Sequence, residues 1–185
     1  MRTASLLAVA LLISLPLAPA AMGGDDHEKH EGAVESPLLA RFKKLEGRWT
    51  GKMSFDGQES DGAVAVYKVT SNGSTVVETL GPGTPHEMVT VIHPDRDALV
   101  LTHYCAAGNQ PRMRAKGKPT DPKVTFEFAD VTNADPSKDT FMHDVTFEFL
   151  SDDEFKADWT NYSKGKPSGK ATFHLRREKA ETKGK

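Results

Sequence analysis

The stretch HEMVTVIHPDRDALVLTHYCAAGNQPRMR, residues 86–114, decides the fold. Two apolar, β-branched runs, 86–93 and 98–105, flank the turn signal Pro94-Asp95-Arg96-Asp97. Runs of that length around a tight turn predict two antiparallel strands. Alternation along the second places Leu99, Leu101, His103 and Cys105 on one face. The polar segment behind it holds Asn109, Gln110, Arg112 and Arg114, and no other stretch gathers so much chemistry.

The same two-residue period extends in both directions. Upstream, Trp49, Gly51, Met53 and Phe55 alternate with Arg48, Thr50, Lys52 and Ser54, and Asp56-Gly57 turns the chain. Residues 63–70 and 75–80 flank Asn72-Gly73, a type I′ hairpin signal. Downstream, strands are expected at 113–116, 123–129, 139–149, 154–162 and 170–177. About ten strands with short connections imply an antiparallel meander, and closure removes its exposed edges. The expected fold is all-β, an antiparallel up-and-down β-barrel, with a two-sheet sandwich as the alternative. One short helix precedes it. Ser36 suits its N-cap, Pro37 its first turn and Gly47 its C-cap, while Leu38, Leu39, Phe42 and Leu45 share a face that plugs or flanks the barrel.

Residues 1–21 have the form of a secretory signal peptide: Arg2, an apolar run from Leu6 to Leu17, and Ala18-Pro19-Ala20 for cleavage near Ala20. The expectation is an exported protein, periplasmic or secreted, with no membrane-spanning segment. Residues 22–35, which include DDHEKHE, are expected to be a disordered leader whose His27 and His30 are solvated. The barrel then occupies 36–178, and 179–185 is a charged tail. With one cysteine, no internal disulfide supports the fold. A formal net charge of -2 gives no electrostatic reason to expect nucleic acid as a partner.

Parity also sorts the candidate site. Phe126 and Phe128, then Phe141, His143, Val145, Phe147 and Phe149, then Phe155, Ala157, Trp159 and Asn161 are expected to face inward. Buried polar groups need partners. The predicted pocket lies at the barrel mouth, with His86, His103, Cys105, Asn109, Gln110, Arg112, His143 and Trp159 as its ligand-binding residues. Phe126, Phe128, Phe147, Phe149 and Trp159 would form the apolar wall. The expected ligand is a small, partly apolar molecule, and Arg112 would suit a carboxylate or phosphate on it, making an anionic ligand one option.

Three other readings compete. Cys105 with His103 or His143 suggests thiolate catalysis. The donor set His86, His103, Cys105 and His143 would suit zinc or copper, although no spacing among them is diagnostic. A filled structural barrel needs no ligand at all.

Three resemblances bear on these choices. Glu46-Gly47-Arg48-Trp49-Thr50-Gly51 with Arg176-Arg177 resembles the calycin and lipocalin pattern, which implies that an arginine of the last strand, Arg177 by parity, covers Trp49. Residues 38–177 resemble an uncharacterised family of exported bacterial lipocalin-like proteins. The carrying motifs are His86-Glu87-Met88, Thr102-His103-Tyr104-Cys105, Gly108-Asn109-Gln110-Pro111-Arg112-Met113 and Met142-His143-Asp144. Gly47-Arg48-Trp49-Thr50-Gly51 is also similar to the opening of nitrobindin, a ten-stranded haem-binding barrel. That likeness implies haem as a possible cofactor and His174 as its positional ligand, although parity places His174 on the outer face.

Overall fold

The computed structural model describes residues 36–115 and 117–179. The expected signal peptide, the leader and most of the charged tail lie outside the described residues.

Alternation and tight turns yield ten strands behind one helix: α1 (Pro37–Lys43), β1 (Gly47–Phe55), β2 (Gln58–Thr70), β3 (Thr75–Leu80), β4 (Met88–Asp95), β5 (Ala98–Tyr104), β6 (Gln110–Ala115), β7 (Lys123–Thr132), β8 (Thr140–Ser151), β9 (Glu154–Ser163) and β10 (Lys166–Arg177). Each strand pairs antiparallel with its neighbours in sequence, and β1 pairs with β10 to close an up-and-down barrel. The sandwich alternative is thereby excluded.

The seam between β1 and β10 depends on Gly51. A Cβ there would stand 2.1 Å from the His174 carbonyl oxygen. Only a residue without a side chain lets the two backbones come so close.

One end of the barrel is plugged. The Ser36 hydroxyl accepts the Leu39 N–H at 3.2 Å, and Pro37 starts the helix. Leu38, Leu39 and Phe42 are buried, and the Phe42 ring meets Phe126, Phe147 and Phe149 edge-on at 5.6, 5.2 and 5.5 Å. The helix stops earlier than expected. Lys44 is its C-cap, and Gly47, at φ +124°, opens β1 instead.

Beside the plug lies the arrangement implied by the calycin likeness. The Arg177 guanidinium sits 4.4 Å above the Trp49 ring. Arg177 also donates to the backbone oxygens of Lys44, Glu46 and Asp152 and to Asp153 Oδ1. Trp49 Nε1 donates to the Leu45 oxygen at 2.6 Å, and its ring meets Phe155 at 4.9 Å. Helix, first strand and last strand are thus tied at one point.

Several turns and registers depart from the expected ones. The 70–75 hairpin has Ser71, Asn72 and Gly73 at φ 53°, 51° and 80°, so Asn72-Gly73 is left-handed as expected, but the run begins one residue earlier and a four-residue loop replaces the two-residue turn. Bulges insert Gly62 between the partners of Gly51 and Lys52, Ala129 between those of Met113 and Arg112, and His143 between those of Thr160 and Asn161. An extra residue flips the parity of everything beyond it. Hence Met142, not His143, packs against the core.

Candidate functional site

The interior has three layers. The plugged end is apolar. The open end, where the 56–57, 81–87 and 105–109 connections lie, holds a cavity of about 200 Å³. Its walls are Met53, Ala63, Leu80, Met88 and Phe173, with Thr84 and His86 contributed by the loop after β3.

Between them runs a polar row that strand register alone creates. Tyr67 of β2 stands opposite Glu78 of β3, Glu78 opposite Thr90 of β4, and Thr90 opposite His103 of β5. All four are buried. The Tyr67 hydroxyl donates to Glu78 Oε1 at 2.5 Å, and Thr90 Oγ1 lies 3.0 Å from His103 Nδ1. The His103 ring then meets Trp159 of β9 at 4.7 Å.

Burial dominates the titration of this row. It pushes the Glu78 carboxyl above its usual range, opposed by hydrogen bonding from Tyr67 and Thr90. It pushes the Tyr67 phenol well up, with the Glu78 charge adding to the effect. It lowers His103 to about 4, so the imidazole is neutral at pH 7. Glu78 Oε2 is buried without a hydrogen-bond partner among the described residues, which is unusual for a buried polar atom.

His103 and Trp159 are where parity put them, and they touch. The other predicted site residues scatter. His86 precedes β4 rather than lying in it, and stands exposed at the cavity rim. Cys105 lies beyond the end of β5, in the turn closed by its own backbone with Gly108 and Asn109. It is therefore not an inward strand residue. Among the described residues the Ala107 N–H, and no imidazole, engages its sulfur, at 3.5 Å.

Asn109 is buried and donates to the Thr140 oxygen at 3.0 Å. Strand β6 starts earlier than expected and buries Pro111, Met113 and Ala115, which turns Gln110 and Arg112 outward. Gln110 bonds the Gly108 oxygen and Thr132, and Arg112 pairs with Asp130 at 2.5 Å.

His143 is the clearest departure from alternation. As the bulged residue it leaves the common interior and joins a separate aromatic cluster. Its ring stacks on Phe128 at 4.5 Å and on Tyr162 at 3.7 Å, and Nδ1 lies 2.8 Å from Asp144 Oδ2. Phe141 belongs to this cluster as well. The expected apolar wall is likewise redistributed. Phe126, Phe147 and Phe149 face the helix at the plugged end, and Phe128 sits with His143.

Among the described residues, no group of three or more His, Cys, Asp or Glu side chains is placed to hold a metal ion. His174 is outward, between buried Phe173 and Leu175, and lies 2.6 Å from Glu154 Oε1. The His174 and Arg176 hydrogen bonds hold the Glu154 carboxyl below its usual range. No helix among the described residues is long and apolar enough to cross a membrane.

With this geometry in hand, the chain can be set beside known proteins. It aligns with the crystal structure of Rv2717c from M. tuberculosis at TM-score 0.57 and 15% identity, over 78% of this chain and 99% of that one. What they share is the barrel. At that identity the likeness speaks for fold alone. A redesigned β-barrel aligns at TM-score 0.41 and 16% identity, over 78% of this chain and 100% of the other. A DUF3598-family protein of unknown function from Nostoc punctiforme aligns at TM-score 0.20 and 11% identity, over 76% and 99%. No family model and no curated protein matches the sequence.

Missing from the sequence-based site were Tyr67, Glu78 and Thr90. A signal existed for Glu78. In TVVETL, residues 75–80, it occupies the parity of Val76 and Leu80, where a charge is out of place.

Proposed function

We propose that this chain is an exported binding protein that takes a small, mostly apolar molecule into the open end of its barrel. The observation that carries the reading is the cavity of about 200 Å³ walled by Met53, Leu80, Met88 and Phe173 and rimmed by His86. Concave apolar pockets with a few polar groups are the usual form of small-molecule sites, and barrel mouths are a common place for them. Drug-sized sites span roughly 300–1,000 Å³, so the ligand is smaller than those. Two methionines in the wall suit irregular apolar shapes, because the thioether chain is flexible and polarisable.

The test uses the methionines themselves. In protein labelled with ¹³C at the methionine methyls, titration with toluene is expected to shift the Met53 and Met88 signals along a saturable curve. Met113, buried away from this cavity, serves as the internal reference. Shifts that do not saturate, or that are no larger at Met53 and Met88 than at Met113, would refute the reading. Export is tested separately, by N-terminal sequencing of the protein after expression with residues 1–21 intact. A mature terminus near Ala21 is the expected result.

A further inference from the structure

The cavity's floor is chemically unlike its walls. Leu80 and Met88 line the cavity, and the next residues of the same face on the same two strands are Glu78 and Thr90. One such step is roughly 6–7 Å along a strand, so the polar row forms the layer directly beneath. In that layer Tyr67 donates to Glu78 Oε1, and Thr90, itself joined to His103 Nδ1, stands opposite Glu78 on the next strand. The second oxygen, Oε2, is buried and has no hydrogen-bond partner among the described residues. An unfilled acceptor one layer beneath a mostly apolar cavity is complementary to a ligand with an apolar body and a hydrogen-bond donor at one end.

We propose that the ligand of the open-end cavity carries a donor head group, an amine or an alcohol, and that Glu78 Oε2 accepts its hydrogen bond. This rests on the reading of the cavity as a binding site and specifies what the site selects. The head group would pass between Leu80 and Met88. Tyr67 then acts as a positioning residue: its bond to Oε1 fixes the carboxyl and leaves Oε2 for the ligand.

Three probes of nearly equal size separate the possibilities: toluene, benzyl alcohol and benzylamine. Affinity is read from the Met53 and Met88 methyl shifts. At least one of the two donor probes is expected to bind about tenfold or more tightly than toluene, the gain of one well-made hydrogen bond to a carboxyl group. Comparing the alcohol with the amine tells a neutral donor from a cationic one. The decisive variant is Glu78→Gln, which keeps shape and volume. Its carbonyl oxygen still accepts from Tyr67, and its NH₂ replaces the unfilled acceptor with a donor. The preference for donor probes should vanish in this variant while toluene affinity is retained.

Should Glu78→Gln fold poorly, Tyr67→Phe provides an independent arm. It frees the carboxyl to turn, and the donor preference is expected to fall without loss of toluene binding. Equal affinity for all three probes in the wild type, as when a resident water already satisfies Oε2, overturns the proposal and leaves the binding reading intact. An unchanged preference in Glu78→Gln overturns it too. Failure of every probe to move Met53 and Met88 defeats the binding reading itself.

Discussion

The Tyr67 hydroxyl and the Glu78 carboxyl face each other across adjacent strands, 2.5 Å apart and wholly inside the barrel. Burial raises the carboxyl's pKa, so the folded protein holds this proton at a pH where the unfolded chain has released it. The stability from that difference is fully present below the unfolded value of about 4.5 and is lost as pH rises through the folded value. Glu78→Gln removes the titration and keeps the acceptor for Tyr67. The variant is expected to be the more stable protein at pH 8 and to lose that advantage by pH 4, as read from urea unfolding at both pH values.

His103 has the opposite sign. Its folded pKa, about 4, lies below the unfolded 6.5, so in that window the unfolded state binds the extra proton. Stability is full above pH 6.5 and falls on acidification, by about 3 kcal/mol once pH is near 4. His103→Phe should flatten this limb. The comparison is cleanest in a Glu78→Gln background, where the opposing carboxyl is silent. A limb that persists in the double variant would assign the acid sensitivity elsewhere.

Arg177 uses four donor contacts and a ring face at one point, three of the contacts being to backbone oxygens. Lysine has the charge without the planar fork. Arg177→Lys is therefore expected to lose nearly as much as Arg177→Ala, about 2 kcal/mol, measured by denaturant midpoint. Full rescue by lysine would show that charge alone matters there.

Phe42 anchors the plug through three edge-on aromatic contacts and is fully buried. Phe42→Ala is expected to lower stability by about 3–5 kcal/mol. The cavity at the other end should survive, so toluene shifts at Met53 and Met88 persist in whatever fraction stays folded.

Gly51→Ala tests the seam. Its Cβ would meet backbone rather than a movable side chain, at 2.1 Å from the His174 oxygen. Loss of the slowly exchanging amides of β1 and β10 is the expected result. An unperturbed exchange pattern would mean that the seam can shift without opening.

Alternation and turn chemistry were enough to read the barrel from the chain, because period two and tight hairpins leave few topologies. The plug was legible for a similar reason: Ser36, Pro37 and the spacing of Leu38, Leu39 and Phe42 are local signals. The site was less so. Parity assigns a face but carries no register, so nothing local announced that Tyr67, Glu78, Thr90 and His103 fall in one line. Parity also fails past a bulge. His143 looked inward by counting, and the extra residue it represents turned it into a neighbouring cluster. Cys105 failed differently, since its strand ended one residue too soon.

The two tryptophans sit at separate places in the barrel: Trp49 under a guanidinium beside the plug, Trp159 against the imidazole of His103 in the middle layer. The molecule therefore carries its own pair of optical probes. Emission from Trp159 should respond to protonation of His103 or to a guest near it, whereas Trp49 should report on the integrity of the far end. A single-tryptophan version, Trp49→Phe, would let occupancy of the interior be followed by intrinsic fluorescence with no attached dye.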